Sequence, residues 1–411
     1  MQELPPNWRK GAGTMFNEIV NENVSAPFVC PICGNANPIY YGYKLGRIYC
    51  RKCISFRGED VKEELSFPKY SSISIDYDLS EEQKRLSSQI LSNYLEGKNT
   101  LVHAVCGSGK TEIVLEVIRY VIECGERVGF AIPRRDVVIE LYSRFKDIFK
   151  KNKVVYVCGG HTEETKGDLV LLTTHQLYRY DHYFDLLIVD EIDAFPFNGD
   201  EVLEAFFQRA IRRNYIMMSA TPTDHALTFH KENKGEVEEL FSRYHMHPLP
   251  VPKLLVRKGV LIYVELLDVL QKFLKKTKPV FIFAPTIDMC ESLFMWLKVI
   301  FKGGLCLHSK VEDRQEKLEE FKNHKYRYIV TTAILERGVT FPDLQVIIFR
   351  ADHTLYDSHA LIQISGRVGR KKDHPDGEVI FLANENTEEI ENTIREIERA
   401  NKSLQNMSKN L

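Results

Sequence analysis

A glycine-rich segment, residues 104–111, constrains the fold of this chain more than any other feature. Its sequence is AVCGSGKT, with the apolar pattern of a short strand before it and the pattern of a helix after it. Glycines allow backbone N–H groups to curl around phosphate oxygens, and the start of the helix adds a dipole that favours an anion. The pattern therefore predicts a phosphate-binding loop. The expected phosphate contacts come from six residues of this segment: Ala104, Gly107, Ser108, Gly109, Lys110 and Thr111.

The last two residues of the loop carry the side chains with the clearest chemistry. Lys110 can reach the β- and γ-phosphates of ATP, and the Thr111 hydroxyl can hold Mg²⁺. Ala104 departs from the strict pattern, which has glycine at its first position. A chance glycine turn is the alternative, and the flanking strand and helix patterns count against it.

An acidic segment follows another apolar strand pattern, residues 186–189. It consists of Asp190, Glu191, Ile192 and Asp193. A carboxylate at the end of a buried strand can hold Mg²⁺, which we assign to Asp190, and the next one, Glu191, can orient the attacking water. The alternative is a solvated acidic turn.

A basic segment near the C-terminus complements the phosphate loop. Residues 363–370 have the sequence QISGRVGR. Arg367 and Arg370 offer planar, permanently charged donors that can stabilise charge on a transferring phosphate, and Gln363 is placed to join them. A solvated basic helix end is the alternative. If these residues belong to a separate lobe, they reach the phosphate only when the lobes close, which couples hydrolysis to lobe movement.

Length and patterning predict an α/β protein with parallel sheets. The 411 residues are too many for one ordinary core, and short apolar runs alternate with amphipathic segments. The predicted strands are residues 100–105, 128–132, 153–157, 169–172, 186–189, 215–218, 279–283, 304–307, 327–330, 345–349 and 378–382. The predicted helices include residues 112–123, 136–149, 287–301, 313–323 and 387–401. Proline-rich residues 245–256 are expected to link two lobes.

Charge and hydropathy restrict the partners and the location. The formal net charge is −2, so a nucleic-acid partner requires a local basic groove. The sequence contains no apolar run of transmembrane length and no secretory signal pattern at its start. We therefore expect a cytoplasmic protein.

Four cysteines near the start have the spacing of a metal site. Cys30, Cys33, Cys50 and Cys53 form the pattern C-x2-C-x16-C-x2-C, which suits tetrahedral Zn²⁺. An iron–sulfur cluster or a redox dithiol is the alternative. Tyrosines and basic residues lie between the two pairs. They either stack bases and hold phosphates or pack a small hairpin core, and both interpretations are open.

These motifs, in this order, resemble those of superfamily-2 helicases and translocases. The resemblance covers residues 77–383 and implies two RecA-like lobes with parallel sheets, preceded here by a small zinc-ribbon-like module. The expected domains are a four-cysteine zinc-binding module at 1–70, an ATP-binding lobe at 71–247 and a C-terminal lobe at 248–411. The resemblance implies nucleotide contacts from Gln83, which would recognise adenine, and from Gly338. It implies nucleic-acid contacts from seven residues: Arg134, Arg135, Thr173, Thr174, His175, Thr286 and Thr332.

Within this superfamily the chain resembles the ComFA family of late competence proteins. The resemblance rests on the cysteine module together with AVCGSGKTE, DEID, SAT, ILERGVTFP and QISGRVGR. It implies an ATPase, stimulated by single-stranded DNA and dependent on ATP, Mg²⁺ and Zn²⁺, that helps to import transforming DNA. It also implies ComFC and other DNA-uptake proteins as partners, with oligomers possible and membrane association only through those partners, at the inner face. A replication-restart helicase resembling PriA, and a non-motor ATP switch that loads partners on DNA, are the alternatives.

Overall fold

The computed structural model describes residues 28–56, 58–64, 66–105, 107–192, 199–240, 247–333, 341–369 and 376–409. They form one two-stranded sheet, one seven-stranded sheet and one six-stranded sheet. We call the part of the chain around the seven-stranded sheet lobe 1 and the part around the six-stranded sheet lobe 2.

The small sheet is an antiparallel hairpin that contains one of the four cysteines. Its strands are β1 (Tyr41–Lys44) and β2 (Arg47–Cys50), and a short 3-10 helix, Pro38–Tyr40, precedes them.

Lobe 1 is a parallel sheet covered by helices on both faces. Its strands are β3 (Asn99–Ala104), β4 (Val128–Ile132), β5 (Val154–Val157), β6 (Leu169–Thr173), β7 (Phe184–Asp190), β8 (Ile211–Ser219) and β9 (Gly235–Leu240). Its helices are α1 (Glu81–Leu95), α2 (Lys110–Ile113), α3 (Leu115–Glu123), α4 (Arg135–Ile148), α5 (Glu201–Ala210) and α6 (Asp224–Glu232), with a 3-10 helix at Thr174–Arg179. The strand order is β5-β6-β4-β7-β8-β3-β9, and every pair is parallel.

Lobe 2 repeats this architecture. Its strands are β10 (Lys253–Val256), β11 (Val280–Phe283), β12 (Gly304–Leu307), β13 (Tyr328–Thr331), β14 (Gln345–Phe349) and β15 (Val379–Ala383). Its helices are α7 (Leu261–Lys275), α8 (Ile287–Ile300), α9 (Arg314–Lys322), α10 (Ser358–Ser365) and α11 (Glu388–Lys409). The order is β10-β15-β14-β11-β13-β12, again all parallel. The prediction of an α/β fold with two parallel sheets is therefore confirmed.

The structure corrects the predicted linker at residues 245–256. The last four of these residues form β10, which pairs with β15 from Lys253↔Ile380 to Val256↔Ala383. Prolines precede this strand, and an edge strand tolerates such a start because only one of its sides joins the ladder. β9 was also missed, since the segment GEVEEL carries three glutamates. It is an edge strand too, paired only with β3.

A segment that we call the strap connects the cysteine module to lobe 1. Residues 58–64 and 66–76 run past the amino ends of the strands, where Glu63 accepts a hydrogen bond from Arg127 at 2.9 Å. Lys69 pairs with Asp168 at 2.7 Å in the same region. Arg127 and Asp168 directly precede β4 and β6, so the strap lies at the edge opposite the strands' carboxyl ends.

None of the helices in the described part of the chain has the length and apolar character needed to cross a bilayer.

The buried His230 on α6 predicts a loss of stability in acid. Its Nε2 lies 2.9 Å from the carbonyl oxygen of Glu236, and its Nδ1 lies 3.3 Å from the Tyr215 hydroxyl. Burial lowers the pKa of His230. The unfolded chain therefore takes up a proton below about pH 6.5 while the folded protein does not, and stability falls by at most about 1.4 kcal/mol per pH unit for this group.

The test is thermal unfolding of the wild type and His230→Gln between about pH 7.5 and about pH 5.5. We expect the variant to melt lower at the higher pH but to lose less stability on acidification. If acidification lowers the stability of the two proteins equally, His230 does not contribute to the loss of stability in acid.

Candidate ATP site, nucleic-acid contacts and zinc centre

Five neighbouring strands of lobe 1 end in predicted motifs. In the order β6-β4-β7-β8-β3, their carboxyl ends lead into Thr173, Pro133, Asp190, Ser219 and the phosphate loop. The register aligns His103 with Ser219 and Asp190 with Met218, so these ends lie side by side. The carboxyl edge of a parallel sheet is where α/β proteins bind ligands.

The phosphate loop is shaped by two glycines and supported by Gln83. Gly107 and Gly109 have φ angles of 81° and 82°, which favour glycine. Gln83 Nε2 donates to the carbonyl oxygen of Ser108 at 2.8 Å. A Cβ added to Gly109 would lie only 2.3 Å from that Nε2. The loop and α1 therefore fit together through this glutamine.

The Gln83 side chain makes a second hydrogen bond, at the start of α1. Its Oε1 accepts a hydrogen bond from the backbone N–H of Ser80 at 2.9 Å, which completes a capping box at the start of α1. The residue is 3% exposed. The structure gives Gln83 a role in holding the loop, and its contact with adenine stays a prediction.

The nucleotide-site carboxylates lie at the end of β7. Asp190 Oδ1 accepts a hydrogen bond from the backbone N–H of Glu191 at 2.8 Å. Glu191 has a φ of 59°, a left-handed conformation that non-glycine residues seldom adopt. The strand thus ends at two consecutive carboxylates, and their roles in holding Mg²⁺ and orienting water stay predictions. Asp193 lies outside the described residues.

The basic segment of lobe 2 lies beside the base of the phosphate loop. Ile362 of α10 and Ile397 of α11 belong to a small apolar cluster with Val105, the second residue of the phosphate loop. Gln363 and Arg367 are 5% and 1% exposed. The packing brings the α10 end of lobe 2 to the nucleotide edge of lobe 1. Arg370 and Gly338 lie outside the described residues.

The predicted nucleic-acid contacts of lobe 1 differ in accessibility. Arg134 is the N-cap residue of α4, and Arg135, its first residue, is exposed. Thr173 and Thr174 are 6% and 0% exposed. Because the Thr174 hydroxyl lies inside the lobe, it does not offer the predicted side-chain contact, and only its backbone remains for that role.

His175 packs against the cysteine module. Its ring stacks on Phe56, which follows the cysteine module, with centroids 6.1 Å apart and planes at 24°. Burial lowers the pKa of His175. The stack packs the cysteine module against lobe 1, and the contact of His175 with nucleic acid stays a prediction.

The predicted nucleic-acid contacts of lobe 2, Thr286 and Thr332, come after two adjacent strands. Phe283 of β11 pairs with Thr331 of β13, so Thr286 and Thr332 lie near the same edge. The Thr286 hydroxyl accepts the backbone N–H of Met289 at 3.1 Å and caps α8. Thr332 is half-buried. Their contact with nucleic acid remains a prediction.

Two polar features near these edges escaped the sequence analysis. His308 directly follows β12, and its Nε2 lies 3.1 Å from Glu291 Oε1. Beside the phosphate loop, the Tyr77 hydroxyl lies 3.2 Å from Glu112 Oε1 and 3.0 Å from Arg144 Nη2. The sequence could have indicated His308 through its position directly after a predicted strand, because polar residues that follow parallel strands lie at the ligand-binding edge.

The four cysteines fit a tetrahedral zinc ion. All four are buried, and their sulfurs lie within 4.8 Å of one another, with Cys30–Cys53 at 3.6 Å and Cys33–Cys50 at 3.7 Å. A tetrahedral ion with Zn–S bonds of about 2.3 Å separates its sulfurs by about 3.8 Å. Burial raises the pKa of Cys33 to about 11. A bound cation favours the thiolate form that Zn²⁺ coordination requires of Cys33.

Metal analysis tests this centre. We expect one zinc per purified chain and loss of most of it in Cys53→Ser, because three thiolates bind the ion less tightly than four. Cys124→Ser is the matched control, since that cysteine is exposed and distant in sequence. Iron in place of zinc, or full zinc retention by Cys53→Ser, would contradict the assignment.

Comparison with known proteins agrees with this geometry. The family model for DEAD/DEAH box helicases matches residues 82–229, and the one for the helicase conserved C-terminal domain matches residues 265–372. The fold resembles that of S. cerevisiae Dbp5 bound to RNA and ADP BeF3, with a TM-score of 0.58, 16% identity, and coverage of 78% of this chain and 91% of that one.

Two relatives identify the family. The chain is 33% identical to the competence protein ComFA of Streptococcus pneumoniae, over 98% of this chain and 94% of that protein. It is 30% identical to ComFA of Bacillus subtilis, over 86% and 81% of the two chains. With its two helicase lobes and its nucleotide-binding edge, the chain belongs to the ComFA family of competence proteins and is an ATP-hydrolysing enzyme of the superfamily-2 helicase type.

Proposed function

We propose that this protein is a single-stranded-DNA-dependent ATPase and translocase that drives the import of transforming DNA during natural competence. The observation that carries the proposal is the shared edge of lobe 1. There the phosphate loop, the acidic pair and the predicted nucleic-acid segments follow adjacent parallel strands. An enzyme with this arrangement can couple the binding and hydrolysis of ATP to its affinity for a DNA strand. Both relatives are competence proteins, which supplies the biological setting of the proposal.

The proposed nucleotide chemistry divides between the lobes. Lys110 binds the β- and γ-phosphates, while Thr111 and Asp190 hold Mg²⁺, which neutralises phosphate charge when bound. Glu191 orients the attacking water, and Arg367 stabilises the charge that develops on the γ-phosphate. Arg370 is proposed to assist it. Hydrolysis thus requires lobe 2 as well as lobe 1.

The segment after β8 is suited to transmit the nucleotide state. β8 lies between β7, which carries Asp190, and β3, which carries the phosphate loop. After it, the backbone N–H of Thr221 donates to Ser219 Oγ at 2.8 Å. Ala220 and Thr221 also border a cavity of about 150 Å³ shared with α10 and α11 of lobe 2. A shift at the carboxyl end of β7 or of β3 therefore moves residues 219–221 relative to lobe 2.

The proposed hold on DNA is independent of sequence. Arg135 on lobe 1 contributes charge, and Thr286 and Thr332 on lobe 2 contribute hydroxyl and backbone contacts to phosphates. Such contacts position a strand without recognising its bases. We expect translocation along one strand, with duplex separation weak or absent.

ATP hydrolysis measured with different polymers tests the function. We expect strong stimulation by single-stranded DNA, weak stimulation by duplex DNA or single-stranded RNA, and loss of hydrolysis in Lys110→Ala because the β/γ-phosphate contact is gone. Lys298→Gln is the control, since it removes a lysine from the exposed end of α8.

The outcomes separate the candidate functions. Stimulation by RNA alone would assign the protein to RNA remodelling, and efficient separation of forked duplexes would favour a replication-restart helicase. Hydrolysis that no polymer stimulates would contradict the motor and favour an ATP switch.

A further inference from the structure

We propose that the outer face of the cysteine module is a second binding site for single-stranded DNA. We call this surface the hairpin face and define it by Tyr40, Tyr43, Lys44, Leu45 and Arg47. It covers both sides of the exposed end of the β1–β2 hairpin, because the register places Tyr43 on one side of the sheet and Lys44 and Arg47 on the other. The inference rests on the proposed function, because it extends the path of the strand that lobes 1 and 2 are proposed to hold.

The structure separates the tyrosines that hold the module together from those that face solvent. The Tyr41 hydroxyl donates to the carbonyl oxygen of Ala36 at 2.6 Å. The Tyr49 ring covers Gly42, where an added Cβ would lie 2.3 Å from its Cζ. Tyr43 is 69% exposed and Tyr40 is 39% exposed. Packing therefore accounts for the first pair of tyrosines and leaves Tyr43 with a ring presented to solvent.

All the charged side chains of the cysteine module are basic. Residues 28–56 contain Lys44, Arg47, Arg51 and Lys52 and no aspartate or glutamate. Lys52 pairs with Glu201 of lobe 1. Among the residues that the structure describes, Lys44, Arg47 and Arg51 have no ion-pair partner. A surface of this kind complements a phosphodiester backbone.

The side of the hairpin face that carries Lys44 and Arg47 also has a suitable shape. Lys44, Leu45, Arg47, Tyr49 and Ile54 line an open cleft of about 560 Å³. Leu45, at the turn, is 94% exposed. Aromatic and apolar surface between cations allows bases to stack while phosphates are held, and this mode of binding tolerates any sequence. It therefore suits a protein that handles DNA of arbitrary sequence.

Docking places the module beside the predicted strand path. Phe56 packs edge-on against Phe206 of α5, with centroids 4.9 Å apart, and stacks on His175. His175 lies in the 3-10 helix that begins directly after Thr173, at the carboxyl end of β6. The module is thus fixed next to a segment that we expect to contact the DNA backbone. The cysteine module therefore borders the strand path that lobes 1 and 2 are proposed to hold.

Equilibrium binding of labelled oligothymidylate to the full chain tests the stacking contact. We expect Tyr43→Ala to weaken binding by roughly tenfold, the loss that accompanies removal of one aromatic platform for a base. Tyr43→Phe keeps the ring and is expected to bind like the wild type. Equal binding by all three proteins would overturn the stacking role.

The salt dependence of the same binding tests the charges. Lys44→Gln combined with Arg47→Gln removes two phosphate contacts, so the slope of log K against log salt should fall by about 1.4 in magnitude. Lys275→Gln combined with Lys298→Gln is the matched control, because these exposed lysines lie near the C-terminal ends of α7 and α8. We expect that control to keep the wild-type slope.

Two measurements distinguish a failure of this inference from a failure of the proposed function: the zinc content of each variant and the binding of single-stranded DNA by the wild type. Each variant must retain zinc, which shows that the module is folded. If the wild type fails to bind any single strand, the proposed function itself fails. If the wild type binds and the zinc-bearing hairpin variants match it in both affinity and salt slope, the function stands and this inference is overturned, which leaves the hairpin face as a surface for a protein.

Discussion

Parallel pairing of the strands is the constraint on which the rest of the structure depends. Because every pair in the two large sheets is parallel, each lobe presents all its strand carboxyl ends at one edge. In lobe 1 this register brings together the phosphate loop, Asp190 and Ser219, which are far apart in the sequence. Lobe 2 places Thr286 near Thr332 in the same way. The site is thus a direct product of the topology.

The central strands were predictable, and the edge strands were not. The predicted bounds 128–132 and 345–349 agree with β4 and β14, because both strands are buried on two faces and their sequences are continuous apolar runs. β9 and β10 lack that signature, since an edge strand needs only one partner and tolerates glutamates or preceding prolines. Apolar patterning therefore identified the interior of each sheet and missed one border of each.

The candidate site was predictable where chemistry requires particular residues at fixed spacing. The phosphate loop, the acidic pair and the cysteine pairs are of this kind. Contacts created by tertiary packing were not predictable. Phe56 and His175 are far apart in sequence, and no local pattern indicates that their rings stack. The burial of Thr174 is likewise a property of the folded lobe, so sequence similarity alone assigned it a contact that its side chain does not offer.

The central claim is that ATP hydrolysis requires a group from each lobe, and the turnover rate of Arg367→Lys tests it most directly. Lysine keeps the charge but lacks the planar fork of donors. At saturating ATP and single-stranded DNA, the account predicts a fall of roughly 10³-fold in turnover, with ATP affinity little changed. Turnover close to that of the wild type would show that lobe 2 supplies no catalytic group at Arg367 and would contradict the divided site.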